Sequence, residues 1–161
     1  MARRQNRLSY NNARFFGVQE TIKKLQKFGQ IGENRISIIS KTNADEIASM
    51  AKANVMSYRY SETAGKIASS IVVEKVQRNI TFAVRVGEQP MSAYVEFGTG
   101  SFVEVPKGWE KIAWHYYVNG KGFMYPHPYL YPAYYIGRRQ YKKDLKDSLN
   151  YLIERFNSNS I

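Results

Sequence analysis

Residues 71–86 read IVVEKVQRNITFAVRV, and within them the spacing of the apolar residues changes from three or four positions to two. Alternate positions in the second half of this stretch are all apolar: Ile80, Phe82, Val84 and Val86. Side chains at alternate positions lie on one face of a β-strand, so this half predicts a strand. Polar residues at 77–79 separate it from a first strand at 71–76, and the short connection predicts an antiparallel hairpin.

Two later stretches also have the pattern of strands. Residues 93–97 alternate between apolar and polar, and they lie between a turn at 87–90 and a pair of glycines. Asn119-Gly120 is a common two-residue hairpin turn, and it separates aromatic residues at 112–118 from those at 122–125. Together with the first hairpin, these stretches predict an antiparallel sheet of about three to five strands.

Helical spacing of apolar residues surrounds the predicted sheet. Three helices are expected before it, at 17–28, 33–55 and 63–69. Gly29 and Gly32 are expected to end the first helix, and Ser61 is the candidate N-cap of the third. After the sheet, the prolines of 126–128 interrupt regular structure before a long helix at 129–157. The predicted fold class is therefore α+β, with the sheet packed against N-terminal helices and the long C-terminal helix.

The chain has 161 residues, 43% of them hydrophobic, and no cysteine. This length predicts a single domain at 1–161, without a disulfide framework or a thiolate metal site. Its expected parts are a basic arm at 1–16, helices at 17–70, strands at 71–100, an aromatic loop or hairpin at 101–128 and the C-terminal helix at 129–157. The sequence contains no apolar run of membrane-spanning length and no secretory leader, so we expect synthesis in a cytoplasm and no membrane partner.

Charge is concentrated at the two ends of the chain. The net charge is +11, and residues 1–30 carry seven basic side chains against one acidic side chain. Near the C-terminus, a basic run at helical spacing comprises Arg138, Arg139, Lys142, Lys143 and Lys146. Such a run suits contact with DNA or with an acidic protein surface, because lysine and arginine near phosphates release counterions. The alternative is a solvated helix face.

Residues suited to catalysis are few. His115 and His127 lack the helical spacing of metal ligands, and Glu96 precedes glycines that match no phosphate-binding motif. We therefore expect no catalytic residue, no metal and no cofactor. A small hydrolase that uses these three residues is the least favoured class, and a basic nucleic-acid-binding protein is the alternative to a structural role.

Aromatic residues are unusually dense at 109–135, which hold ten of the chain's 23 aromatic side chains. Tyrosine and tryptophan at this density are typical of subunit interfaces, where apolar rings meet a partner and polar atoms stay bonded. We predict that one contact surface includes Trp109, Trp114, Tyr116, Tyr117, Phe123, Tyr125, Tyr129 and Tyr131. The N-terminal arm is predicted to supply part of a second surface through Arg3, Arg4, Arg7, Phe15 and Phe16.

Three patches of the sequence resemble the neck, or tail-completion, proteins of lambdoid and related tailed bacteriophages. The first combines Ala51-Lys52-Ala53-Asn54 with Gly65-Lys66-Ile67-Ala68-Ser69-Ser70-Ile71, which is similar to that family's Thr-Gly-x-Leu-x-x-Ser-Ile. The second is Tyr94-Val95-Glu96-Phe97-Gly98-Thr99, and the third is Pro126-His127-Pro128-Tyr129-Leu130-Tyr131-Pro132-Ala133. The residues that carry the family motifs are Gly65, Ile67, Ser70, Glu96, Phe97, Gly98, Thr99, Pro128, Leu130 and Pro132.

The resemblance implies an α+β virion protein without catalytic activity, located at the junction of neck and tail. It also implies a ring of about six or twelve copies, in which each copy offers two different surfaces to its neighbours. The implied partners are further copies of the chain, neighbouring head-completion or connector proteins, tail proteins, and genome DNA in the channel.

Overall fold

A computed structural model describes residues 5–77, 80–100, 105, 107–119 and 122–158, with the backbone alone for 5–19, 77, 118 and 119. The elements in chain order are α1 (Gln5–Met56), α2 (Ser61–Ser70), β1 (Ile71–Gln77), β2 (Thr81–Val86), α3 (Met91–Phe97), α4 (Glu110–Asn119) and α5 (Leu130–Asn157). The α+β class and the long C-terminal helix are confirmed. The sheet within the described residues has two strands, so the prediction of three to five strands is wrong.

The N-terminal half of the chain forms one helix of 52 residues. The predicted stops at Gly29 and Gly32 are therefore wrong, and the described part of the predicted arm, from Gln5 onwards, is helical. A glycine inside a helix costs about 1 kcal/mol relative to alanine, which weakens the helix without ending it. Neither glycine adopts the left-handed conformation that terminates helices.

Helices α1 and α5 pack against each other in antiparallel directions. Their contacts run from Phe28–Phe156 through Ser40–Tyr141 and Asn43–Asp144 to Asn54–Tyr129. Because Phe28 lies beside the last turn of α5, residues 5–27 of α1 extend beyond the end of that helix. The exposed side chains of Ile22 and Leu25 lie on this extension.

The hairpin β1–β2 lies against α1 and α2 and forms part of the core. Its antiparallel register pairs Ile71 with Val86 and Val73 with Val84. These four side chains share the face that packs on the helices, as their alternation predicted. The core is formed by Ala48, Ala51, Val55, Tyr58, Ala64, Ile67, Ile71, Val95, Tyr129 and Ala133.

Of the later stretches that were predicted as strands, 93–97 and 112–118 are helices, whereas 122–125 contributes one isolated antiparallel bridge, between Met124 and Thr99. Residues 93–97 belong to α3, where Tyr94 N–H donates to Pro90 O at 3.0 Å and Gly98 N–H donates to Tyr94 O at 2.8 Å. An alternation over five residues also fits a short helix, and here the polar Glu96 is buried together with its apolar neighbours. Residues 112–118 belong to α4, and Asn119 ends this helix instead of opening a hairpin turn.

One other local prediction needs correction. Helix α2 begins at Ser61 and is preceded by Tyr60, and no side chain caps its N-terminus. Ser61 is therefore the first residue of the helix and not its N-cap. The helix gains its stability from burial of Ala64 and Ile67 against α1 and the hairpin.

Gly137 and Gly29 provide a matched test of the α1–α5 contact. An added Cβ at Gly137 would overlap Cγ1 and Cδ1 of Ile47 on α1, whereas one at Gly29 would meet nothing within 4 Å. We expect Gly137→Ala to lower the free energy of unfolding by about 1–3 kcal/mol. We expect Gly29→Ala to raise it by about 0.5–1 kcal/mol through helix propensity.

Urea denaturation followed by circular dichroism measures both changes. If Gly137→Ala stabilises the protein as much as Gly29→Ala does, the close approach of the two helices is wrong. A second change, Ile47→Val, removes one of the overlapping atoms and should recover part of the loss.

Candidate functional site

The side chain of Glu96 connects the end of α3 to the start of α5. Its Oε2 accepts hydrogen bonds from the backbone N–H groups of Tyr129 at 2.8 Å and Leu130 at 2.9 Å. Its Oε1 accepts from the N–H of Tyr131 at 2.9 Å. The carboxylate thus binds three consecutive backbone donors at the beginning of a 28-residue helix.

The sequence at the start of α5 explains why a single carboxylate can satisfy the N–H groups of its first turn. The first N–H groups of a helix have no acceptor within the helix, and the positive end of its dipole favours an anion. Tyr129, the residue before the helix, makes no side-chain capping bond. Pro132, the third helical residue, has no N–H to satisfy. Glu96 therefore supplies acceptors for the first turn from outside the helix.

Burial makes this contact sensitive to charge. Glu96 is 3% exposed, and burial raises the pKa of its carboxyl above the ordinary value for glutamate. The three N–H donors and the nearby His127 oppose this rise in pKa. Burial also raises the pKa of the Tyr129 phenol, whose hydroxyl donates to Ser92 O at 3.2 Å. Both side chains therefore act as fixed hydrogen-bonding groups inside the protein.

Backbone hydrogen bonds extend this contact between α3 and the start of α5, which we call the junction. Thr99 and Met124 exchange N–H···O hydrogen bonds of 3.0 Å in each direction, and His127 N–H donates to Val95 O at 2.7 Å. Gly98, at φ 76°, makes this approach possible, because a Cβ there would lie 2.6 Å from Met124 O. The second and third sequence patches therefore meet in space.

The first patch is divided between two places. Asn54, at the end of α1, donates from Nδ2 to Tyr129 O at 3.0 Å and so joins the junction. Ile67 is fully buried in the core, and Ser70 donates to Ile67 O at 2.8 Å where the chain enters the hairpin. Gly65 has open space around its Cα. These residues of α2 support the hairpin and do not contact Glu96.

His127 also lies at this junction. Its Nε2 is 2.9 Å from Ser57 Oγ and 3.3 Å from Asn54 O, and Ser57 Oγ lies 2.7 Å from Asn54 O. These three residues form one hydrogen-bonded group that joins the end of α1 to the segment before α5.

The predicted aromatic surface divides into buried and exposed parts. Tyr129 is 2% exposed and lies in the core, so its assignment to a contact surface is wrong. Phe97 packs against Trp109 and Tyr116, with ring centroids 6.0 and 6.2 Å apart, and Trp109 also contacts Tyr131. Tyr117 packs on Trp114. Three rings remain open to solvent: Trp114 at 56%, Phe123 at 61% and Tyr125 at 76% exposure.

The charged candidates lie along the two long helices. Arg7, Phe15 and Phe16 belong to the helical backbone of α1, whereas Arg3 and Arg4 lie outside the described residues. All five basic residues of the C-terminal run are exposed on α5. Within the described part of the chain, none of these five lies in ion-pair distance of an acidic side chain.

The described residues offer neither a metal-binding cluster nor a membrane-spanning helix. They contain no group of three or more His, Asp or Glu side chains arranged to hold a metal ion. Within the same ranges, no helix is both long enough and apolar enough to cross a membrane.

Residues 19–98 match the family model HK97-gp10_like, which is described as "Bacteriophage HK97-gp10, putative tail-component". Residues 19–98, just under half of the chain, therefore belong to this family of tailed-phage proteins. The match runs from α1 through α3 and includes Glu96, Phe97 and Gly98, but it ends before the third patch. Comparisons with curated proteins and with solved structures give no match.

Sequence analysis identified Glu96 as a motif residue but missed what it does. Its partners lie more than 30 positions later in the chain, beyond any local periodicity. One signal was present in the sequence: a long helix that begins without a Ser, Thr, Asp or Asn cap needs an acceptor from elsewhere. Ser92 was also missed, because its carbonyl acts through one distant hydrogen bond from Tyr129, and Asn54 was quoted in the first patch without a role.

Substitution of Glu96 tests the junction. Glu96→Gln keeps the size but replaces one acceptor oxygen with an NH₂ group that faces a backbone N–H. We expect the free energy of unfolding to fall by about 2–3 kcal/mol. Glu110→Gln is the control, because Glu110 also accepts a backbone N–H, at 2.6 Å from Gly108, but in an exposed position.

The control should cost less than about 1 kcal/mol. Chemical denaturation of the two variants and the wild type gives the comparison. Equal losses in the two variants would contradict a special role for the buried carboxylate.

Proposed function

We propose that this chain is a structural neck or tail-completion protein of the phage virion, and that its copies form a ring between the capsid connector and the tail. The family match supports a component of the phage tail structure. The ring, of about six or twelve copies around the DNA channel, goes beyond that match. The chain is made in the host cytoplasm and acts by assembly, without catalysis.

The observation that carries this proposal is the display of Phe123 and Tyr125. Met124 is held by the hydrogen-bonded pair with Thr99, and its sulfur lies 3.5 Å from the Tyr58 hydroxyl. The two neighbouring rings project outward and contact each other with centroids 4.9 Å apart. Large rings held in fixed positions lose little entropy on binding, which is typical of anchor residues at interfaces.

A closed ring needs a second, different surface on each copy. The extension of α1 at 5–27 meets this requirement, because it projects past α5 and exposes Ile22 and Leu25. Trp114 and Ile112 are also exposed on α4, at positions that point in different directions from the helix. Met124, which lies between Phe123 and Tyr125 in the chain, is beside Tyr58 just after the C-terminal end of α1, whereas the extension is the N-terminal part of that helix, so the two surfaces can contact different neighbours.

The double variant Phe123→Ala/Tyr125→Ala tests the interface. Both side chains are largely exposed, so the thermal midpoint of the free chain should change little. We expect the fraction of particles with joined tails to fall on the order of tenfold or more when this variant complements a phage that lacks the wild-type chain. Electron microscopy of purified particles counts joined tails directly.

Ile38→Ala, on an exposed position of α1, is the matched control and should leave joining intact. Normal joining by the double variant would exclude these rings from the essential interface. Absence of the chain from purified wild-type particles would overturn the proposal as a whole.

A second candidate function is contact with the genome through the basic run of α5. The observation that favours it is the exposure of five cationic side chains without acidic partners among the described residues. Binding of duplex DNA by the free chain should weaken steeply with salt, because each phosphate contact releases counterions. Arg139→Gln/Lys143→Gln should reduce the log–log salt slope by about 1–2.

Fluorescence anisotropy across a salt series measures this slope. Glu46→Gln, which changes a surface charge on α1, is the control for a general charge effect. A slope that is the same in the double variant and in the wild type would contradict contact through α5.

A further inference from the structure

A groove of about 750 Å³ lies between the hairpin and the two long helices. We call it the β2 groove. Asn43, Ala44 and Ile47 of α1 form its floor, and Tyr134 and Arg138 of α5 belong to one wall. The opposite wall consists of the consecutive residues 80–84. Side chains alternate across a strand, so a wall of consecutive residues means that the strand presents its backbone edge to the groove.

Among the residues that the structure describes, no strand lies beside this edge of β2. The two-stranded sheet has the order β1–β2, so β2 pairs with β1 on one side only. The N–H of Gly87 donates to Ser70 O, so these two residues form a hydrogen-bonded pair of the antiparallel ladder, and such pairs recur at every second position. By this alternation, Ala83 and Arg85 direct their N–H and C=O groups toward β1. Phe82 and Val84 direct theirs toward the open edge.

We propose that the β2 groove binds an extended, acidic segment of another virion protein, which adds a third strand to the β2 edge. The unpaired N–H and C=O groups of Phe82 and Val84 would receive the backbone of the segment. Its apolar side chains, at alternate positions, would fill the space above Ala44 and Ile47. This proposal rests on the proposed function, because the phage particle is the expected source of the partner.

Charge determines which partner fits. Arg138 and Lys142 lie one helical turn apart at the groove, and within the described residues neither has an acidic partner. A carboxylate on the incoming segment would pair with them. The N-terminal region of a second copy, with seven basic residues and one acidic residue at 1–30, would instead place like charges together. This charge pattern favours a different protein as the partner over the N-terminal region of a second copy.

Hydrogen exchange with mass spectrometry tests the proposal on the free chain and on the chain in purified particles. The fragment 80–86 should gain protection of about two amides in the particle, those of Phe82 and Val84. The fragment 71–77, which contains the other open edge of the hairpin, should gain none. Equal exchange of 80–86 in both states would overturn the proposal, as would protection confined to 71–77.

Charge reversal separates the groove from the rest of the surface. Arg138→Glu/Lys142→Glu should abolish the added protection, while Lys52→Glu/Lys107→Glu makes the same change in charge on exposed residues that do not line the groove and should retain it. Equal protection in both variants would overturn the role of a carboxylate. Protection of 80–86 in the concentrated free chain would identify a second copy as the occupant and overturn the assignment to another protein.

A test on the free chain keeps this inference distinct from the proposed function. Two synthetic peptides, one of alternating Val-Glu and one of alternating Val-Lys, serve as probes. We expect the Val-Glu peptide to slow exchange at Phe82 and Val84, and the Val-Lys peptide to leave it unchanged. Slowing by neither peptide or by both alike would count against an acidic strand. Absence of the chain from particles would instead count against the proposed function.

Discussion

The Glu96 carboxylate fixes the position of α5, the long C-terminal helix, relative to the rest of the chain. A buried carboxylate is costly unless hydrogen bonds satisfy it, and the unpaired N–H groups at the start of a helix carry a similar cost. Here the buried carboxylate and the N–H groups of the helix satisfy each other through three hydrogen bonds of 2.8–2.9 Å. Because α5 then packs along α1 as far as Phe28, a shift at Glu96 would alter the register of the whole helix pair.

The same junction converts a loop into a fixed surface. Residues 122–128 have no helix or extended sheet of their own, yet Thr99 holds Met124, and Val95 holds His127. Loops on a rigid scaffold commonly carry binding residues because the scaffold supplies their positions. Phe123 and Tyr125 fit this arrangement. Their exposure therefore has a structural cause and does not reflect a shortage of core space.

Local patterns predicted the elements whose apolar periodicity is long enough to be recognised within the element itself. The alternation at 80–86 gave β2, and the long periodicity after Pro128 gave α5. Five residues of alternation at 93–97 could not separate a strand from α3, whose conformation depends on burial of Glu96 against α5. The resemblance selected Glu96, Gly98 and Pro132 as motif residues. Glu96 and Gly98 act through contacts 26 or more positions away, which no sequence period contains, whereas Pro132 acts within the first turn of α5.

A two-stranded hairpin is marginal by itself, and this one gains its stability from the helices beneath one face. Within the described residues the hairpin keeps two open edges, and an open edge is a site for pairing with another chain. The two edges are not equivalent, because the edge of β2 borders an apolar groove with basic residues at its wall. A ring subunit must distinguish its neighbours, and edges with different surroundings provide that distinction through backbone pairing and charge together.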